Sequence, residues 1–206
     1  MIQLENISKR FDEKTVLSNF SIQIKENEFV SIVGKSGSGK TTVLNIMSLL
    51  DSPDKGDVTI LGYTNPKAKE VMQLRREHLG YIFQNYVLMD NETVLTNLLL
   101  STAYAKNFHK GQLPGVLEMV GLDKSFLKKK IYQLSGGEQQ RVAIARILLK
   151  PCDIILADEP TGNLDEYNKN IVLSLFHRLK DMGKTIICVT HDQKIADCSD
   201  RVINLS

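Results

Sequence analysis

Residues Gly34 to Thr42 read GKSGSGKTT, and no other segment narrows the possible folds of this chain so far. Gly34-Lys35-Ser36-Gly37-Ser38-Gly39-Lys40-Thr41 fits the spacing Gly-x-x-x-x-Gly-Lys-Ser/Thr. The apolar run Phe29 to Val33, FVSIV, precedes it, and a helical apolar period follows from about Lys40 to Leu50. Strand, glycine loop and helix in that order make an anion cradle. Glycines let backbone N–H groups turn inward and approach phosphate oxygens without a Cβ clash, and the helix N-terminus adds partial positive charge. Lys40 would reach the β- and γ-phosphates of a nucleotide, while Thr41, with Thr42 behind it, would offer a hydroxyl to Mg²⁺. A glycine-rich turn that binds nothing is the plainer alternative, and the flanks weigh against it.

Around this loop the pattern alternates. Strands are predicted at Ile2 to Ile7 and Val16 to Lys25, a turn at Asp51 to Gly56, and a strand at Asp57 to Leu61. A helix follows at Lys67 to Arg76, then a strand at Leu79 to Phe83. From about Thr93 to Lys150 the segments are helical, with breaks near Gly111, Pro114 and Gly121. Strand signal returns at Asp153 to Ala157. It is followed by a helix at Glu166 to Met182, a strand at Lys184 to Thr190, a short helix near Gln193 and a last strand at Arg201 to Leu205. Such alternation implies an α/β fold with a mostly parallel sheet, interrupted by a helical insert between Gln84 and Asp153.

Composition excludes some alternatives. A chain of 206 residues supports one domain with a full core. Its net charge of +2 favours neither nucleic acid nor an anionic membrane as a partner. Cys152, Cys188 and Cys198 are odd in number and lack metal-ligand spacing, which fits free thiols in a reducing cytoplasm. The start, MIQLENISKRF, carries no signal-peptide pattern, and no run approaches the roughly 18–20 apolar residues that span a bilayer. The chain is therefore expected to be soluble alone and to need a partner for any work at a membrane. His78, His109 and His177 read as surface or packing residues, and Lys128 to Lys130 as a solvated face.

Two further segments carry chemistry. Ile154 to Pro160, IILADEP, is a buried strand ending in Asp158-Glu159, so both carboxylates fall at a sheet edge where ligands of open α/β folds bind. Asp158 would meet Mg²⁺ through water, and Glu159 would polarise the attacking water. Leu134 to Arg146 reads LSGGEQQRVAIAR. Ser135 is a natural N-cap and Glu138 completes a capping box. Capping needs no Gly136-Gly137 pair, however, and two glycines leave N–H groups that an anion could approach.

LSGGEQQRVAIAR resembles the signature of the ABC-transporter ATPases, and the resemblance extends over essentially the whole chain with every motif in order. It implies a P-loop NTPase core, an N-terminal antiparallel β subdomain and a helical subdomain at about 85–152, all in one domain spanning 1–206. It further implies that two protomers sandwich two ATP molecules, with Lys40 of one facing Ser135 and Gly137 of the other. By the same resemblance Phe11 stacks on adenine, where tyrosine is commoner. Gln84, in YIFQN, couples the γ-phosphate and metal to subdomain rotation. Asp165, in NLD, crosses the dimer interface as well as capping a helix. His191, in VTHD, contacts the γ-phosphate and orients the water. Lys35 departs from the usual proline.

Together these residues imply ATP hydrolysis in an ATP-dependent homodimer. The membrane partner would be a permease subunit whose cytoplasmic helix lies in a groove formed by the helical insert and the Gln84 region. The chain would then sit on the cytoplasmic face of the cell membrane. GEQQRVAIAR with LADEPTGNLD is similar to the branch handling macrolides, lipoproteins and peptides, and KIYQLSGGEQQRVAIAR with a short tail to Ser206 resembles bacteriocin-export ATPases. An importer ATPase and a cell-division-type signalling ATPase remain alternatives. A soluble nucleic-acid or ribosome-acting ATPase fits less well. Only about ninety residues separate Thr41 from Ser135, without heptads or cysteine pairs, and the chain holds a single cassette. The short C-terminus also argues against an appended regulatory domain.

Overall fold

The computed structural model describes residues 1–205; Ser206 lies outside them. Two sheets organise the chain. The first is antiparallel, in the order β2-β1-β4-β5, with β1 at Ile2–Phe11, β2 at Lys14–Ile24, β4 at Lys55–Ile60 and β5 at Tyr63–Thr64. The second is parallel throughout, in the order β6-β7-β8-β3-β9. Its strands are β3 Phe29–Val33, β6 Leu79–Ile82, β7 Ile154–Asp158, β8 Thr185–Val189 and β9 Arg201–Asn204.

Helices connect and cover the sheets. Helix α1 (Lys40–Met47) follows β3, and α2 (Ala68–Glu77) leads into β6. The insert between β6 and β7 contains α3 (Val94–Leu100), α4 (Leu113–Met119) and α5 (Gly136–Leu149), joined by short 3₁₀ turns. Helix α6 (Glu166–Asp181) and α7 (Gln193–Cys198) flank β8. Among the described residues no helix is long and apolar enough to cross a membrane.

The parallel sheet separates two cores by strand alternation. Along β7, Ile155 and Ala157 face the helical insert and α6, while Ile154 and Leu156 face α1 and the antiparallel sheet. Strand β8 repeats the division with Ile186 and Cys188 against Ile187 and Val189. Both faces of these strands are covered, which accounts for their uninterrupted apolar sequence. Phe29 and Phe176 meet edge to face at 5.9 Å and fasten α6 to β3. All three cysteines are free thiols.

The break expected near Pro114 is present, since α4 starts at Leu113 beside that proline. The proline lies in the first turn of α4, where its missing N–H removes no helical hydrogen bond. Several expectations need correction. Helix α1 stops at Met47, short of Leu50, because Ser48 caps it and Leu49 turns to φ 60°. Strand β4 begins at Lys55, inside the predicted turn. A Cβ on Gly56 would stand 2.4 Å from the Glu5 carbonyl oxygen, so only glycine lets the two strands close there. The predictions missed β5. Its hairpin turns on Leu61-Gly62, both at positive φ, a geometry that Asn-Gly would have announced and Leu-Gly does not.

Phe176→Ala removes the ring that ties α6 to β3. It is expected to cost about 3–5 kcal/mol, read as a lower urea midpoint with an unchanged slope.

Candidate functional site

Strands β3, β6, β7 and β8 run the same way, so their carboxyl ends gather at one edge. A cleft of about 460 Å³ opens there. From the loop after β3 come Ser36, Gly37, Gly39, Lys40, Thr41 and Thr42. From the ends of β6, β7 and β8 come Gln84, Asp158, Glu159 and His191, and Phe11 closes the side nearest the antiparallel sheet. All of these were named from sequence.

The loop's shape depends on two glycines. A Cβ on Gly34 would lie 2.3 Å from the Leu205 carbonyl oxygen, and one on Gly39, at φ 94°, would lie 2.9 Å from Val16 Cγ1. The loop is thus clamped between the end of β9 and β2 while α1 begins at Lys40. The Lys40 ammonium curls inward and donates to the carbonyls of Gly34 at 2.9 Å and Lys35 at 3.0 Å. That leaves one N–H for a further acceptor. Lys35 therefore contributes its backbone to the site. The Ser38 hydroxyl is buried without a partner, an orphan that a loop built for its own stability would have satisfied.

The acidic edge is also poised. The Thr41 hydroxyl donates to Asp158 Oδ1 at 3.3 Å. Burial first, and the neighbouring Glu159 charge, push the Asp158 carboxyl upward; the Thr41 hydrogen bond and Lys40 oppose them. Glu159 adopts φ 45°, a left-handed conformation that costs a non-glycine residue about 1–3 kcal/mol. Its N–H donates to the Val189 carbonyl at 2.9 Å, and its Oε2 lies 2.8 Å from His191 Nδ1. The strained backbone thus aims the carboxylate at the histidine and the cleft.

Nucleotide and Mg²⁺ fit this donor set. Among the described residues no three His, Cys, Asp or Glu side chains form a metal cage. Thr41 and Asp158 instead offer two hard oxygens. That suits Mg²⁺, which keeps waters and shares phosphate ligands. The spare Lys40 N–H adds a donor for an anion in the same cleft.

Sequence reading missed Lys14. It pairs with Phe11 across the β1–β2 hairpin and lines the cleft, its Nζ 3.9 Å from where a Gly37 Cβ would be. The hairpin spacing was the available signal. It also missed Tyr81, which donates to Asn45 Oδ1 on α1 at 3.1 Å and stacks on Phe83 at 4.1 Å. Burial and the Asp158 charge push its phenol well up, so it remains a donor.

The remaining candidates lie outside this cleft. Ser135 caps α5: Glu138 N–H donates to its hydroxyl at 3.3 Å, and its own N–H donates to Glu138 Oε2 at 2.7 Å. Gly136 is exposed. Gly137 is buried, and a Cβ there would stand 2.3 Å from Asn168. The second glycine therefore has a packing cause that the capping argument overlooked. Asp165 caps α6, accepting the Asn168 backbone N–H at 2.8 Å and its side-chain amide at 2.9 Å, bonds that lower its pKa. Arg141 donates to the same Asn168. One cluster thus joins the starts of α5 and α6.

A family model described as ABC transporter matches residues 17–162. This chain belongs to the ABC transporter family. It is 42% identical over 214 residues to the macrolide export ATP-binding/permease protein MacB of Pectobacterium atrosepticum, across 100% of this chain and 33% of that protein. It is likewise 42% identical over 211 residues to the lipoprotein-releasing system ATP-binding protein LolD of Bacteroides fragilis, covering 100% of this chain and 97% of that one. The chain spans about a third of the length of the macrolide-export relatives. The solved dimeric cassette MJ0796 superposes with a TM-score of 0.90 at 39% identity, covering 99% of this chain and 94% of that one. A post-hydrolysis state of that cassette, bound to ADP and Pi, superposes at 0.89 and 38%, covering 100% and 94%. The present chain is accordingly an ATP-binding ABC ATPase domain.

The raised Asp158 pKa has a consequence for this ABC domain without ligands. A carboxyl that holds its proton more tightly folded than unfolded subtracts stability once ionised. Asp158→Asn should therefore raise the melting temperature at neutral pH. The gain should vanish as pH falls below the carboxylate range, where both states are protonated. Thermal melts at pH 7.5 and pH 4 check the sign.

Proposed function

We propose that this chain is the ATP-hydrolysing motor of a transporter and drives a membrane permease by closing and opening as a homodimer. The observation that carries the reading is a division of parts. One cleft gathers Lys40, Thr41, Gln84, Asp158, Glu159 and His191, while the capped glycine turn at Ser135–Glu138 lies away from it. That turn has no substrate within its own protomer. A second copy would bring it, with Asp165, across to the cleft and complete the γ-phosphate site.

Catalysis would then be positioning and charge stabilisation. Phe11 would stack on the adenine. The N–H groups from Gly34 to Thr42 and Lys40 would hold the phosphates, with Lys14 adding positive charge beside them. Bound Mg²⁺, held by Thr41 and Asp158 with Gln84 nearby, would neutralise phosphate charge. Glu159 would accept the proton of the attacking water, and His191 would hold that carboxylate and the water in line. The 1–206 chain would act as one domain, with 85–152 as its moving helical subdomain. Loss of the γ-phosphate removes the shared anion, and the protomers part.

The similarity to MacB and LolD supports export, or extraction from a membrane, of a macrolide-like antibiotic, lipoprotein or peptide; bacteriocin export is a narrower form of the same reading. The chain would then bind the cytoplasmic face of the membrane through its permease.

Glu159→Gln should bind ATP, hydrolyse it at least about 100-fold more slowly, and elute as a dimer at saturating ATP. A monomer with normal turnover would overturn the assignment of Glu159. Lys40→Ala should weaken ATP binding by about 10- to 150-fold, the worth of one charged hydrogen bond; unchanged affinity in a titration with labelled ATP would exclude it as a phosphate ligand.

A further inference from the structure

The ring of Phe11 has little to hold it. It is exposed at the edge of the cleft, it lacks the hydroxyl that a tyrosine could anchor, and among the described residues no other aromatic ring packs on it. What it does meet is a cation. Lys9 Nζ stands 5.3 Å from the ring centroid, within the range at which an ammonium is attracted to an aromatic face. Phe11 lines the cleft and Lys9 does not, so the ammonium meets the ring from outside the nucleotide site.

Lys9 is itself held. Its side chain is only 12% exposed, which is unusual for a lysine. Its Nζ pairs with Asp51 Oδ1 at 2.8 Å, donates to the Ser52 carbonyl at 2.6 Å and lies 3.9 Å from Asp54 Oδ1. Asp51 in turn donates its N–H to the Asn45 carbonyl of α1 at 3.2 Å, and α1 begins with Lys40 and Thr41. One side chain therefore joins the Phe11 ring to the far end of the phosphate-loop helix. A clamp on the 51–54 turn would by itself account for the ion pair. That turn, however, is already fastened to β1 through the backbone. The Asp54 N–H donates to the Ser8 carbonyl at 2.9 Å, and the Arg10 N–H donates to Asp54 Oδ2 at 2.7 Å. The pairing of β1 with β2 also shifts register on both sides of Lys9, an irregularity of the kind that re-aims a side chain.

We infer that Lys9 is a positioning residue for the nucleobase: its ammonium backs the Phe11 ring and ties that ring to the end of α1. The inference rests on the adenine-stacking reading of Phe11 above and adds what holds the ring in place. Lys9 acts through Phe11 and does not touch the nucleotide. Asp51 answers much of its charge, so the contact belongs at the weak end of cation–π attraction and is worth about 2- to 5-fold in affinity.

The test titrates the full chain with ATP and with inorganic triphosphate, each with Mg²⁺. Triphosphate can occupy the phosphate loop but carries no base, so the ratio of the two affinities reads the base platform alone. Phe11→Leu should weaken ATP binding and leave triphosphate binding unchanged. Lys9→Met keeps the stem and drops the charge. It should weaken ATP binding about 2- to 5-fold and raise KM by a similar factor, with triphosphate binding and kcat unchanged. Lys9→Arg should keep the affinity for ATP. Combined with Phe11→Leu, Lys9→Met should cost nothing further, because the ring it acts through is gone. Should Lys9→Met fail to fold, Lys9→Gln carries the same comparison, since its amide can still donate to the Ser52 carbonyl. Equal losses for ATP and triphosphate, or a loss that persists without the ring, make Lys9 a turn clamp and overturn the inference. Unchanged ATP binding in the Lys9 variants overturns it as well while leaving Phe11 as the base platform. A Phe11→Leu protein that keeps its full preference for ATP removes the adenine reading itself, and the inference with it.

Discussion

Parallel hydrogen bonding in the second sheet is the constraint on which the site depends. Strands that run the same way finish at the same edge, and β3, β6, β7 and β8 finish at Val33, Ile82, Asp158 and Val189. The next residues of all four strands therefore meet in one cleft, although more than 150 positions separate Lys40 from His191 in the chain. The two apolar cores hold this edge in register by burying both faces of β7 and β8, so neither strand can slip without moving its apolar side chains out of place.

Against that stable background the edge itself is kept under tension. Glu159 sits in a left-handed conformation, burial pushes the Asp158 carboxyl upward, and the Ser38 hydroxyl is buried without a partner. Each feature weakens the folded chain slightly, and Asp158 and Glu159 both line the cleft. Left-handed backbone also occurs away from the cleft, at Leu49, Leu61 and Val87 among others; at the edge it falls on Glu159, a residue that lines the cleft beside the partly buried Asp158.

Much of this was legible in the sequence, because the relevant signals are local. Phe29–Val33 into Gly34–Thr41 is a strand, loop and helix with its chemistry written in consecutive residues, and IILADEP announces its own sheet edge. Long-range relations were harder to read. Nothing local tells that Gly137 makes room for Asn168, that Gly56 lets β4 close on β1, or that Tyr81 reaches Asn45 on α1. Lys14 was readable in principle, since a tight hairpin sets it opposite Phe11, but a lone lysine in a polar turn carries no period.

The Tyr81–Phe83–Gln84 segment physically joins the cleft to a second concavity, of about 400 Å³, between the core and the helical insert. Tyr81 and Phe83 line that concavity, Gln84 lines the cleft, and one peptide bond separates the last two. Tyr81 is also bonded to Asn45, one helical turn beyond Thr41 on α1. The stacked rings are held by Asn45 of α1, by the pairing of β6 with β7 and by the chain entering Gln84. The two concavities therefore share one contiguous set of contacts.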